Sequence, residues 1–217
     1  MLNDTIIPHS WNTEVNCIVF VDDMLLTNHY NIEVGFDTSS ANPILHDIAF
    51  EKIQMFFEVL MPNSIIINKN SFEIKTFNFD NNYIEMPEML NDQTLGSVIF
   101  LKLMSLVGED LEIQYIKISS TLGRNIRYTI NNVSPEISIL VPSKEEWWGD
   151  DKIKFDPWWM RSDPATYDEI LTDEDFYKGE FSWDDHFKEE IDQAKSLDTK
   201  SKFQIIKGGK DEVKFPK

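Results

Sequence analysis

Four histidines, one cysteine and 38 carboxylates are the groups of this 217-residue chain that could do chemistry. Their spacing limits what they can do. Zinc needs three protein ligands to stay bound with an open catalytic position, and His9, His29, His46 and His186 are scattered with no metal-binding spacing between them. Cys17 sits among Val15, Ile18, Val19 and Phe20, where a thiol packs as a small apolar group instead of acting as a nucleophile. Asp22-Asp23, Glu109-Asp110 and Asp150-Asp151 read as turn or loop acids, because paired acid–base groups need one shared pocket. No phosphate-loop, dinucleotide, nucleophile-elbow or HExxH string occurs. Two sites remain open to a ligand. His29 is either a pocket residue or a strand histidine with a surface partner. Leu122-Gly123-Arg124-Asn125-Ile126-Arg127 puts two arginines beside a glycine turn, for an anionic ligand or as exposed hairpin side chains. No catalytic residue, metal or cofactor is assigned.

The elements that must position these residues follow from periodicity. EVNCIVFV (14–21) reads as a buried strand ended by Asp22-Asp23, and HYNIEVGFD (29–37) as an alternating second strand, together a hairpin. Residues 43–60 change to helical spacing, with Asn42 as cap and Pro43 in the first turn. SIIIN and SFEIKTFNF within 64–79 look like short extended pieces. A second helix spans 94–107, with Thr94 as its cap and Gly108 as its stop. LEIQYIKI (111–118) is a strand whose alternation changes phase near Tyr115-Ile116, where a bulge is expected. Asn125–Ile130 gives another strand, and Ile137, Ile139 and Val141 one more. Hairpin, two helices and hairpin make an α+β pattern, with two helices on one face of an antiparallel sheet whose edges must be covered or paired.

Charge divides the chain. The formal net charge is -18, made of -11 over residues 1–142, -11 over only 50 residues from 143 to 192, and +4 over 193–217. A boundary therefore falls near 142–144, between a first domain (1–142) and an acidic extension (143–217) with a short helix at 184–197 and a basic end that could pair two small strands between Phe203 and Phe215. The dense acidic segment also carries Trp147, Trp148, Trp158, Trp159 and Trp183, five of the six tryptophans. Tryptophan is enriched at binding hot spots, so this segment either wraps its own domain or docks a basic, apolar protein partner through those five rings.

Composition excludes several classes. The 27 aromatic residues can build a core, so full disorder does not fit. One cysteine allows no intrachain disulfide. There is no apolar run of about 18 residues, and the first residues lack the pattern of a signal peptide. A cytoplasmic location, without membrane or direct nucleic-acid binding, is expected. A bias to Asn, Ile, Lys and Asp looks like an AT-rich coding genome, as in many viruses and some bacteria.

The element order resembles the tunnelling fold, and local strings resemble the 6-pyruvoyltetrahydropterin synthase family and its QueD relatives. Asn28-His29-Tyr30-Asn31-Ile32-Glu33-Val34 looks like that family's second strand. His46-Asp47-Ile48-Ala49-Phe50-Glu51-Lys52 looks like its first helix. Gln93-Thr94-Leu95-Gly96-Ser97-Val98 looks like its second helix start, and Ile116-Lys117-Ile118-Ser119-Ser120-Thr121 like its V-x-V-x-E-T strand. The resemblance covers about residues 15–131. It implies an α+β protein with a pterin pocket, and the sheet edges noted above make a homo-oligomer the expected way to cover them. The departures concern chemistry. The family holds zinc with three histidines, and Asn28-His29-Tyr30 offers one. The ring-gripping glutamate falls at Ser120, whose hydroxyl cannot replace a carboxylate. The family's Asp-His pair has no match at Leu60-Met61-Pro62-Asn63. His29, Ser120, Arg124 and Arg127 are then the candidate ligand residues. Three functions follow: a catalytically degenerate binding and assembly protein, an accessory protein if the source is viral; a divergent pterin or purine enzyme with relocated ligands; or an acidic nucleic-acid mimic.

Overall fold

The computed structural model describes residues 9–37, 42–68, 82–87, 90–140, 156–168 and 183–204. Strands β1 (His9–Val21) and β2 (Met24–Asp37) pair antiparallel along their whole length, from His9 opposite Phe36 to Val21 opposite Met24. The two-residue turn between them is Asp22-Asp23, with φ of 50° and 59°. Two left-handed residues match the twist of a hairpin, and aspartate tolerates that region.

Helix α1 (Pro43–Met55) begins as expected: the Asn42 side chain accepts from the Ile44 N–H at 3.1 Å, and Pro43 fills the first turn. A wider π-type turn, Phe56–Leu60, continues it and buries two successive rings, Phe56 and Phe57. Helix α2 (Asp92–Val107) starts two residues before the expected Thr94. Asn91 is its cap, with the side chain accepting from the Thr94 N–H at 2.8 Å. Gly108, at φ 59°, closes it with its N–H on the Met104 carbonyl.

The sheet has six strands in the order β4-β3-β1-β2-β5-β6. The expected antiparallel four are β1, β2, β5 (Glu112–Ser120) and β6 (Tyr128–Ile130). Two further strands, β3 (Ile65–Asn68) and β4 (Tyr83–Met86), add in parallel beside β1. Between Gly35 and Phe36 of β2 the partner jumps from Tyr115 to Ile113, so Gln114 is an extra residue and β5 bulges next to the expected phase change. Val15, Cys17, Val19, Tyr30, Ile32, Val34, Ile116, Ile118 and Ile130 share one core with the two long helices.

One expected strand is a helix. Ile137 and Ile139 lie in α3 (Pro135–Leu140). Three alternating apolar residues cannot distinguish the two periods, and Pro135 presets the first helical φ. The helix expected at 184–197 is present as α4 (Trp183–His186) and α5 (Lys188–Gln204). It runs through Phe203, where a strand was expected; residues 205–217 lie outside the described residues.

Candidate functional site

A cavity of about 250 Å³ lies on the helix side of the sheet, where α2 begins beside the ends of β1 and β2. Alternation along β2 turns Asn28 and Tyr30 toward it, both about 4% exposed. Helix α2 supplies Asp92 from its first turn. Asp92 Oδ1 accepts from the Ser120 hydroxyl at 2.8 Å, and Ser120 Oγ accepts in turn from the Gly123 N–H at 3.0 Å. Asp92 Oδ2 is buried with no hydrogen-bond partner. An ideal Cβ on Gly123 would stand 2.1 Å from this oxygen, so only glycine leaves room for it. The Asn28 side chain accepts from the Leu122 N–H at 3.0 Å, tying the β5–β6 turn over the cavity. Val19, Val21, Leu95 and Tyr128 supply apolar wall.

Burial sets the protonation of this group. Desolvation raises the Asp92 pKa, against the opposing hydrogen bonds from Ser120. Burial also pushes the Tyr30 hydroxyl up, opposed by the Asn28 amide against it, so Tyr30 stays a neutral donor at neutral pH. Cys17, in contrast, is tied up: its thiol donates to the Met61 carbonyl at 3.3 Å, and burial pushes its pKa to about 12.

The four expected ligand residues do not come together. Ser120 is fully buried at the cavity. His29 points through the opposite face of the sheet, where its Nδ1 pairs with Asn16 Oδ1 at 2.9 Å and its Nε2 lies 3.6 Å from Glu14. Arg127 lines a separate polar hollow with Glu33 and Lys117. Arg124 is exposed at the turn with φ 57°. Among the described residues no group of three histidine, cysteine or acidic side chains could hold a metal ion.

The tryptophan expectation needs correction at one pair. Trp158 and Trp159 are 0% and 2% exposed and belong to the main core, so neither ring is offered to a partner. They sit in a segment, 156–168, that straps across α2 and β4. The Trp158 indole donates to the Glu85 carbonyl at 2.8 Å, the Trp159 indole to the Leu140 carbonyl at 3.0 Å, and the Glu85 N–H to the Thr166 carbonyl at 2.9 Å. The last bond covers part of the outer edge of β4. Trp183 is half-buried, stacked on Phe187 beneath the Lys52 ammonium. Trp147 and Trp148 lie outside the described residues.

Sequence reasoning missed Asp92, Asn28 and Tyr30 as a group. Asp92 and Ser120 are 28 positions apart, and no local pattern joins them. It also missed Lys102, although a lysine on the buried side of α2, in line with Leu95, Val98 and Ile99, was a readable signal.

No family model matches the chain, and no curated protein matches it. Two solved structures of Plasmodium vivax 6-pyruvoyltetrahydropterin synthase are similar to it. One is described as the enzyme at 2.2 Å resolution (TM-score 0.40), the other as a catalytic-residue mutant (TM-score 0.39). Each is 12% identical, and the match covers 58% of this chain and 98% of the other. The likeness is limited to that segment and to the mixed α+β architecture described above. Among the described residues, no helix is long and apolar enough to cross a membrane.

Proposed function

We propose that this chain acts by binding and assembly, as a tunnelling-fold-like protein without synthase chemistry. One observation carries the reading. The groups that could make a reactive pair lie on opposite faces of the sheet: His29 on one, Cys17, Ser120 and Asp92 on the other. Successive strand residues alternate faces, so no side-chain rotation can bring His29 to the cavity beside Asn28 and Tyr30. A base that cannot reach a nucleophile or a buried substrate does not support proton transfer there.

The binding reading has two parts. The cavity beside Asp92 receives a small ligand. A protein partner docks through Trp147, Trp148 and the exposed part of Trp183, since Trp158 and Trp159 are used in the core. Copies assemble through the outer edge of β6, which has no strand beside it among the described residues. The AT-rich bias of the composition supports placing this accessory role in a virus.

The test is a native mass measurement of the full chain after zinc loading and dialysis, with metal analysis of the same sample. The reading expects a particle above the 25.4 kDa of one copy and no retained stoichiometric zinc. Zinc held one per chain and lost on His29→Ala would overturn it.

A further inference from the structure

We propose that the outer edge of β6 pairs with β6 of a second copy about a two-fold axis, and that assembly stops at this dimer. This rests on the binding and assembly reading above and names its partner and its limit. The sheet has two outer edges, β4 and β6. The chain itself occupies the β4 edge. Thr166 of the strap accepts from the Glu85 N–H at 2.9 Å, and its hydroxyl donates to the Tyr83 carbonyl. Lys102 ties the same strap to α2, donating to the Trp158 carbonyl at 2.9 Å. Strand β6 has no strand beside it among the described residues. A head-to-tail ring or fibre needs a second, different open edge on every copy. With only the β6 edge open, a copy can pair through its sheet only with the same edge of another, which closes a two-fold dimer.

The flanks of β6 fit a second copy. The strand is three residues long, so backbone hydrogen bonds alone hold little, and side chains must supply the rest. Seven large apolar residues are exposed among the described residues, and three of them, Leu122, Ile126 and Val133, flank β6. Antiparallel pairing centred on Thr129 sets Tyr128 opposite the partner's Ile130. It carries Ile126 to the end where the partner's Val133 lies, and the axis repeats that contact. Charge selects the direction. The exposed Arg124 and Arg127 precede β6, and Glu136 follows it in α3. The antiparallel arrangement brings the basic end of one copy to the acidic end of the other. A parallel one would set Arg127 beside the partner's Arg127, which like-charge repulsion disfavours. Thr129 is exposed at the centre and puts no bulky side chain on the axis.

The experiment is native mass measurement of the full chain across a dilution series, in wild type and two variants. Wild type should show the 25.4 kDa of one copy and twice that mass, with nothing larger. Thr129→Lys sets like charges opposite each other on the axis and should weaken the dimer about tenfold or more. Its urea midpoint confirms that it is folded. Thr129→Cys tests the register without relying on a loss. Opposite residues of an antiparallel pair lie within disulfide reach, so oxidised glutathione should link two copies through this position. Met104→Cys, on an exposed position of α2, should stay unlinked, and Cys17 is buried in both. Particles of three or more copies overturn the two-fold limit and leave the assembly reading standing. A dimer that Thr129→Lys does not weaken, or that Thr129→Cys does not link, overturns the β6 edge and also leaves that reading standing. A single copy at every concentration overturns both.

Discussion

Lys102 holds Trp158 by its backbone: the Nζ donates to the Trp158 carbonyl oxygen at 2.9 Å, and the same ammonium reaches the carbonyls of Arg161 at 2.9 Å and Asp163 at 2.5 Å. All three of its protons are used in a fully buried site. Desolvation pulls its pKa down to about 8, with Asp163 opposing, so the ammonium survives at neutral pH. Lys102→Met fills the same volume but strands the carbonyls. It should cost about 3 kcal/mol, read as a lower urea midpoint at constant slope with red-shifted tryptophan emission as the strap loosens. An unchanged midpoint would show that the strap is held by Trp158 and Trp159 packing alone.

Gly96 places α2 close against the sheet. An ideal Cβ there would stand 2.7 Å from both Ile118 Cγ2 and Ile130 Cδ1. Two effects oppose each other in Gly96→Ala. Helix propensity favours alanine by about 1 kcal/mol. Overpacking a close contact costs about 1–3 kcal/mol. Net destabilisation of about 1 kcal/mol is expected, measured by chemical denaturation, and a stabilised variant would contradict the packing.

Asp168 makes stability pH-dependent. Burial, reinforced by the charge of Glu85 and opposed by Arg161, raises its carboxyl from the ordinary 3.8 to about 6. The folded chain therefore binds a proton between these values that the unfolded chain does not. This contribution is fully present below about pH 3.8 and is lost as pH rises through about 6. Going from pH 7 to pH 5 should add about 1 kcal/mol in wild type relative to Asp168→Asn. Parallel denaturation curves at the two pH values decide it: identical pH slopes for the two proteins would remove Asp168 as the cause.

Cys17 should be silent in the native state. With its thiol bonded to the Met61 carbonyl and its pKa near 12, the thiolate is negligible at pH 8. Iodoacetamide at pH 8 is expected to leave the folded chain unmodified in intact-mass spectra and to alkylate it once in urea. Rapid native alkylation would place the thiol at the surface.

Features with a local cause were legible. Asn42 and Pro43 start α1, Asp22-Asp23 turns the first hairpin, Gly108 stops α2, and the phase change near Tyr115 marks the bulge, because each is set by residues within one turn or one strand. The alternation expected for β2 put Tyr30, Ile32, Val34 and Phe36 on one face, and that face is buried in the core. Features made by distant pairings were not legible. The parallel addition of β3 and β4, the burial of Trp158 and Trp159, the Lys102 cradle and the Asp92–Ser120 pair join residues far apart in the chain.

The sequence alone determined the first hairpin, the two helices that follow it and the α+β class, since periodicity and caps are local. Only the tertiary structure decided which polar groups share a cavity and which tryptophans are available. A side chain's partners and burial depend on what the fold brings next to it, and residues such as Asp92 and Trp158 look the same in sequence whether satisfied, stranded or exposed.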